Sequence, residues 1–270
     1  MKSKKVVLIT GTSTGMGRSM AILLADQGYS VYAGSRTPEM LPTSLDTTLY
    51  PIKLDITDSE SIKKAISQIP QIDILINNAG YGLVSTVEDM NEEEMIDQFD
   101  INVFGLLRVT KSVIPIMRAS GGGVIINVSS FLGKIGLPLL TAYNSSKYAV
   151  EGITDSLRYE LRDFGIRVHS ILPGFFDTEF ARTNLVVNSK LFDKHSPYQE
   201  MVSTLAPTII EQINGGNDAN EVAKMIVDII EDSSYPARAT VGDKASKFIP
   251  MRRELSDEDF ERRVRESYSL

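Results

Sequence analysis

The chain has 270 residues, 42% of them apolar, and a formal charge of −7, which suits one globular domain near the upper size limit of a single core. Its acidic balance, with lysine and arginine scattered along the chain, excludes the electrostatic footprint of a nucleic-acid binder. The absence of cysteine removes disulfides, thiolate metal sites and a cysteine nucleophile together, and the two histidines, His169 and His195, lack metal-ligand spacing.

From the N-terminus, a short apolar run over 5–10 reads as a strand and leads straight into glycines. It is too short for a signal segment, and no run reaches the ~20 apolar residues needed to span a bilayer, so a cytoplasmic protein is expected. A helix over 16–26 follows, stopped by Gly28. Further strands are predicted over 30–34, 50–54, 72–77, 123–128, 167–172 and 239–241, each a β-branched run without polar alternation, as strands buried on both faces require. Between them the spacing predicts helices over 59–68, 92–117 and 141–164, the last stopped by Gly165. Asn91 with Glu94, and Asp218 with Glu221, have the spacing of capping boxes.

This alternation predicts an α/β fold, a doubly wound parallel sheet of the Rossmann type, in a single domain spanning 1–270. Two stretches depart from it. Residues 177–217 read as an irregular, partly apolar segment after the sixth strand, a candidate substrate lid. Residues 236–270 form a C-terminal tail whose charged part, 252–266, reads as a surface helix.

The chemistry begins at the first strand's end. Gly11, Ser13, Thr14, Gly15, Met16 and Gly17 lie between a strand and a helix, where glycines let the backbone approach a pyrophosphate and the helix start offers free N–H groups. No Lys-Ser/Thr pair follows, which disfavours nucleotide triphosphate hydrolysis. At the end of the second strand, where a carboxylate would hold the ribose of NAD, stand Ser35 and Arg36. An arginine fork suits the additional phosphate of NADP.

Proton transfer falls to carboxylates, lysine or tyrosine. Tyr143 and Lys147 are four residues apart on a predicted helix and share its face. An ammonium beside a phenol lowers the phenol's pKa. Ser129 and Ser130 end the fifth strand, where open α/β sheets place ligands; Ser130 could donate to a substrate oxygen.

Together the segments TGTSTGMG (10–17), LDIT (54–57), NNAG (77–80), NVFG with Asn102, Ser130, YNSSK ending at Lys147, and PGFFDT (173–178) resemble the short-chain dehydrogenase/reductase family over about residues 5–180. The resemblance implies that Tyr143 is the general acid/base, that Ser130 rather than Ser129 orients substrate, and that Lys147 lowers the Tyr143 pKa and holds the nicotinamide ribose. It implies that Asn102 keeps a helix open for a water relaying protons to Lys147. Asp55 and Ile56 would meet the adenine, Asn78, Ala79 and Gly80 the adenosine ribose, and Pro173, Gly174, Phe176 and Thr178 the nicotinamide, with Asn77 tying strands together. The cofactor expected is NADP(H), and within the family the chain resembles hydroxysteroid and retinol dehydrogenase-like members and their bacterial relatives. The expected substrate is a moderately hydrophobic ketone, aldehyde or alcohol. A non-catalytic NADP sensor and a 3-oxoacyl thioester reductase stand as alternatives. A homodimer or homotetramer is the expected assembly.

Overall fold

A computed structural model describes residues 5–41, 48–177 and 184–270. Strands β1 (Val6–Thr10), β2 (Ser30–Ser35), β3 (Leu49–Lys53), β4 (Ile74–Asn77), β6 (Gly123–Val128), β7 (Ile166–Pro173) and β11 (Arg238–Val241) form one seven-stranded sheet. Its order is β11-β7-β6-β4-β1-β2-β3 with every pair parallel. The strand sequence therefore reverses at β1 and β4, the switch point outside which ligands bind in open α/β sheets. The pairs β5 (Gly82–Val84) with β9 (Leu185–Val187), and β8 (Phe176–Asp177) with β10 (Asn217–Asp218), lie outside this sheet.

Successive strand residues point to opposite faces, and both faces are covered. Val7 and Ile9 pack with Met20 and Leu24 of α1 (Gly15–Asp26) and with Val222 and Ile226 of the helix Ala219–Glu231. Leu8, between them, packs on the other side with Ile62 of α2 (Ser59–Ile66), Val109 and Val113 of α4 (Leu106–Ala119), and Leu157 of α5 (Thr141–Glu160). All seven strands fall where the apolar runs placed them. A buried polar chain crosses the sheet's centre. Asn77 donates to Thr110 and Asn127, both at 2.9 Å, and Asn127 donates to Thr154 at 2.9 Å, so Asn77 ties two strands and two helices together.

Four expectations need correction. The helix read over 92–117 is divided into α3 (Glu92–Phe99), a π-helical segment Asp100–Gly105, and α4. A Cβ on Gly105 would stand 2.6 Å from Ile56 Cδ1, so glycine permits that close approach. Asn91 and Glu94 do form the reciprocal box, at 2.9 Å in both directions. Asp218, by contrast, caps the N–H of Asn220, while Glu221 accepts from the Asn217 side chain. The stretch 177–217 contains a regular helix, Gln199–Asn214, that the interior Pro207 obscures in the sequence. The tail opens with sheet strand β11 and continues into two helices, Asp243–Glu254 and Asp257–Tyr268. Phe260, Val264 and Tyr268 of the second are buried, so it is no free surface helix.

Candidate active site

The glycine loop after β1 is shaped by steric exclusion and fastened by hydrogen bonds. Gly11 has φ of +72° and donates to Gly34 O at 2.8 Å. A Cβ at Gly17 would fall 2.2 Å from Gly11 O and 2.5 Å from Asn78 Nδ2. Asn78 Nδ2 donates to Thr10 O and Gly11 O at 3.0 and 2.9 Å, so this side chain braces the loop instead of pointing to a ribose. Thr14 begins α1 without a side-chain cap, which leaves the helix's first N–H groups and the positive end of its dipole facing the cleft.

At the end of β2, Ser35 is buried and its hydroxyl has no hydrogen-bond partner among the described residues, while Arg36 beside it is exposed. Burial alone would raise the Asp55 carboxyl. The side-chain and backbone hydrogen bonds from Thr57 outweigh it, Arg36 adds to them, and the net effect lowers the pKa. A buried hydroxyl without a partner among the described residues, beside an exposed guanidinium and opposite a loop whose close packing at Gly11 and Gly17 excludes a Cβ, fits the pyrophosphate and ribose-phosphate end of a dinucleotide.

Across the switch point, the start of α5 places Tyr143 and Lys147 one turn apart, with Lys147 Nζ 5.7 Å from the Tyr143 ring centre. Lys147 is buried and donates to Val128 O, at the end of β6, at 2.9 Å. Its pKa is pulled down to about 8 by burial, against which Glu151 works upward. Glu151 is itself buried and accepts from Arg238 Nε at 2.7 Å and Lys134 Nζ at 3.0 Å. That cluster fastens α5 to β11 and to the turn following Ser130.

The Tyr143 hydroxyl shares a hydrogen bond with Ser130, whose Oγ also accepts from Leu132 N at 3.1 Å. Burial pushes the Tyr143 pKa up to about 12, and the Ser130 bond pulls it only partly back. Desolvation of the phenol thus dominates here, where the sequence suggested depression by Lys147. Ser129, rejected on spacing, directs its hydroxyl toward Lys147 O at 3.5 Å.

Asn102 sits in the π-helical segment and lines neither cavity described below. Its Oδ1 accepts from Tyr81 N at 3.0 Å, and its Nδ2 donates to Tyr81 O at 2.9 Å and Ser146 Oγ at 3.0 Å. Ser146 in turn donates to Tyr143 O at 2.7 Å. Gly80 lies between Asn102 and Lys147: its Cβ would be 3.0 Å from Asn102 Oδ1 and 3.8 Å from Lys147 Nζ.

Two spaces meet at Tyr143. The first is a cleft of 570 Å³ lined by Gly11, Ser13, Thr14, Gly15, Met16, Gly17, Ser35, Arg36, Asp55, Ile56, Asn78, Ala79, Gly80, Tyr143 and Lys147, all singled out in the sequence. The second is an apolar chamber of 180 Å³ that takes in Ser130, Pro173, Gly174 and Phe176. Met16, Ser129 and Tyr143 line both. Thr178 lies outside the described residues. Sequence reasoning missed Thr37, Tyr81 and Ile101 in the cleft, and, although it offered 177–217 as a lid, it missed the helical face of Gln199–Asn214 that lines the chamber. The apolar spacing of Val202, Leu205, Ile209 and Ile213 was the available signal.

The family model described as short chain dehydrogenase matches residues 5–185. The chain belongs to the short-chain dehydrogenase family. This short-chain dehydrogenase is 36% identical over 250 residues to the uncharacterized oxidoreductase YusZ of Bacillus subtilis (strain 168), covering 87% of this chain and 89% of the relative. It is 34% identical over 242 residues to a 3-ketodihydrosphingosine reductase of Bacteroides thetaiotaomicron, covering 88% of each. A short chain dehydrogenase from Burkholderia cenocepacia J2315, solved in complex with NADP, matches with a TM-score of 0.76 and 26% identity, over 97% of this chain and 98% of that one. A Burkholderia phymatum structure in complex with NAD shares the fold at 22% identity, with a TM-score of 0.80 over 97% and 95% of the two chains. The protein is therefore an oxidoreductase whose family uses a nicotinamide cofactor. Among the described residues, no helix is long and apolar enough to cross a membrane.

Proposed function

We propose that this short-chain dehydrogenase uses NADP(H) to interconvert a moderately hydrophobic ketone or aldehyde and its alcohol, with Tyr143 as the general acid/base. The observation that carries the reading is the position of Tyr143 on the wall shared by the polar cleft and the apolar chamber, with Ser130, which lines the chamber, beside it. A carbonyl in the chamber would meet both hydroxyls, while the cleft would hold a dinucleotide, which when bound would supply or accept the hydride.

In the reducing direction Tyr143 gives its proton to the carbonyl oxygen as negative charge develops there, and Ser130 donates a hydrogen bond to the same oxygen. A phenol held at about 12 is fully protonated at neutral pH and so is ready to act as the acid. Lys147, buried beside it with a pKa near 8, supplies positive charge against the phenolate that forms. Asn102 acts through position: it holds the Tyr81 backbone and, through Ser146, the first turn of α5. The helix Gln199–Asn214 and β9 wall the chamber and serve as the substrate lid.

Preference for NADP(H) rests on Ser35 and Arg36 at the β2 end, where a buried hydroxyl without a hydrogen-bond partner among the described residues and an exposed guanidinium suit a phosphate better than a bare ribose. NADPH should raise the melting temperature of the wild-type protein more than NADH at equal concentration, and Arg36→Ala should abolish the difference. Equal shifts in the wild type would remove the NADP assignment.

A further inference from the structure

The chamber beside Tyr143 has an unusual distribution of chemistry. Among the described residues that line it, the only polar side chains are Ser129, Ser130 and Tyr143, gathered at the reacting end, and no charged side chain lines it. An ionised group enclosed there would lose its hydration without gaining a partner. The part of the substrate inside the chamber is therefore uncharged and apolar apart from the reacting oxygen.

Its size sets the second constraint. At 180 Å³ the chamber falls short of the ~300–1,000 Å³ of pockets that enclose a drug-sized ligand. A rigid fused-ring molecule of that size does not fit inside, whereas a chain entering end-on does. The wall is specially built. Leu139, buried and facing the chamber, has φ of +64°, a left-handed conformation that costs a non-glycine residue about 1–2 kcal/mol. It is held there by Ser85, whose N–H donates to Leu139 O at 2.8 Å.

The third observation is where the wall leads. Val187 of β9, Phe192 and Ile210 line the chamber, yet they are 42%, 71% and 49% exposed. Single exposed apolar side chains need no explanation, but three that continue an enclosed apolar wall onto the surface form a track.

We infer that the substrate is a carbonyl compound, or its alcohol, on a flexible uncharged alkyl chain longer than the chamber. The reacting oxygen lies at Tyr143 and Ser130, and the rest of the chain passes out across Val187, Phe192 and Ile210, which select for chain length. The inference rests on Tyr143 and Ser130 being the reacting end.

The test is a series of straight-chain methyl ketones from hexanone to hexadecanone, with a steroid ketone as rigid comparator and NADPH as reductant. Each methylene inside the chamber should raise kcat/KM by up to about fourfold, with a smaller gain continuing for chains that reach the rim. Phe192→Ser and Ile210→Ser should lower the ratio of kcat/KM for hexadecanone to that for hexanone by about fivefold or more. Binding is read without turnover in the Tyr143→Phe protein, whose melting temperature should rise more with hexadecanone than with hexanone at equal free concentration. An optimum at a short chain with loss beyond it would mean a closed chamber and overturn the inference, as would a rim variant that leaves the ratio unchanged or a steroid preferred over every alkyl ketone. Those outcomes leave Tyr143 chemistry standing. Length-dependent binding without reduction of any carbonyl compound would instead sink the proposed activity.

Discussion

Replacing Gly17 with alanine sets two effects of known size against each other. Alanine is the better helix former by about 1 kcal/mol, and Gly17 lies within α1, so propensity alone predicts stabilisation. The new Cβ would stand 2.2 Å from Gly11 O and 2.5 Å from Asn78 Nδ2. Neither neighbour can yield cheaply. Gly11 is tied to Gly34 at 2.8 Å, and Asn78 Nδ2 holds two backbone carbonyls. Forcing them apart sacrifices at least one hydrogen bond, about 1 kcal/mol, on top of an overpacking cost of about 1–3 kcal/mol. The net effect is a loss of roughly 1–3 kcal/mol, readable as a lower urea midpoint at unchanged m-value. Because the displaced atoms shape the cleft floor, NADPH affinity measured by fluorescence titration should fall at least tenfold. Gly28→Ala is the control: φ there is +88°, but no atom lies within 4 Å of its Cβ, so it should cost about 1 kcal/mol and spare NADPH binding. A Gly17→Ala protein as stable as wild type, with unchanged NADPH affinity, would refute the steric account of the cradle.

Glu151→Gln removes the buried anion shared by Arg238 and Lys134, and should lower stability by about 3 kcal/mol in urea unfolding. The lysine makes a pH prediction with a definite sign. Burial holds the Lys147 pKa at about 8, below the ordinary 10.5, with Glu151 opposing the shift, so the folded state carries a disfavoured charge below pH 8. From about pH 8 toward 10.5 it loses that proton before the unfolded chain does, and stability rises. Relative to Lys147→Met, the wild type should gain about 2 kcal/mol between about pH 7 and about pH 9.5, and a flat difference would contradict the buried-ammonium picture.

The sheet was legible because every central strand is buried on both faces and so reads as an uninterrupted apolar run, Val7 to Ile9 and Ile74 to Ile76 among them. The polar cleft was legible because its residues come from strand ends and glycine turns, which carry local signatures. What failed had non-local causes. The π-helical break at Asp100–Gly105 accompanies the packing of Gly105 against Ile56, far away in sequence. Pro207 hid a helix that tertiary packing of Leu205, Ile209 and Ile213 sustains. The Asn78 side chain is claimed by Thr10 and Gly11 across the sheet, and the Tyr143 pKa is governed by how deeply the ring is buried, which no spacing reveals. The stretch 252–266 looked solvated because its charged residues dominate the composition, while Phe260, Val264 and Tyr268 are buried.

The central claim is that the Tyr143 hydroxyl transfers the proton. Tyr143→Phe removes one oxygen and leaves the ring, the glycine cradle and Lys147 in place. Single-turnover reduction of a carbonyl substrate should then fall by about 10²–10⁴-fold, while the NADPH dissociation constant stays within about threefold of wild type. Turnover within tenfold of wild type in that variant would contradict the assignment.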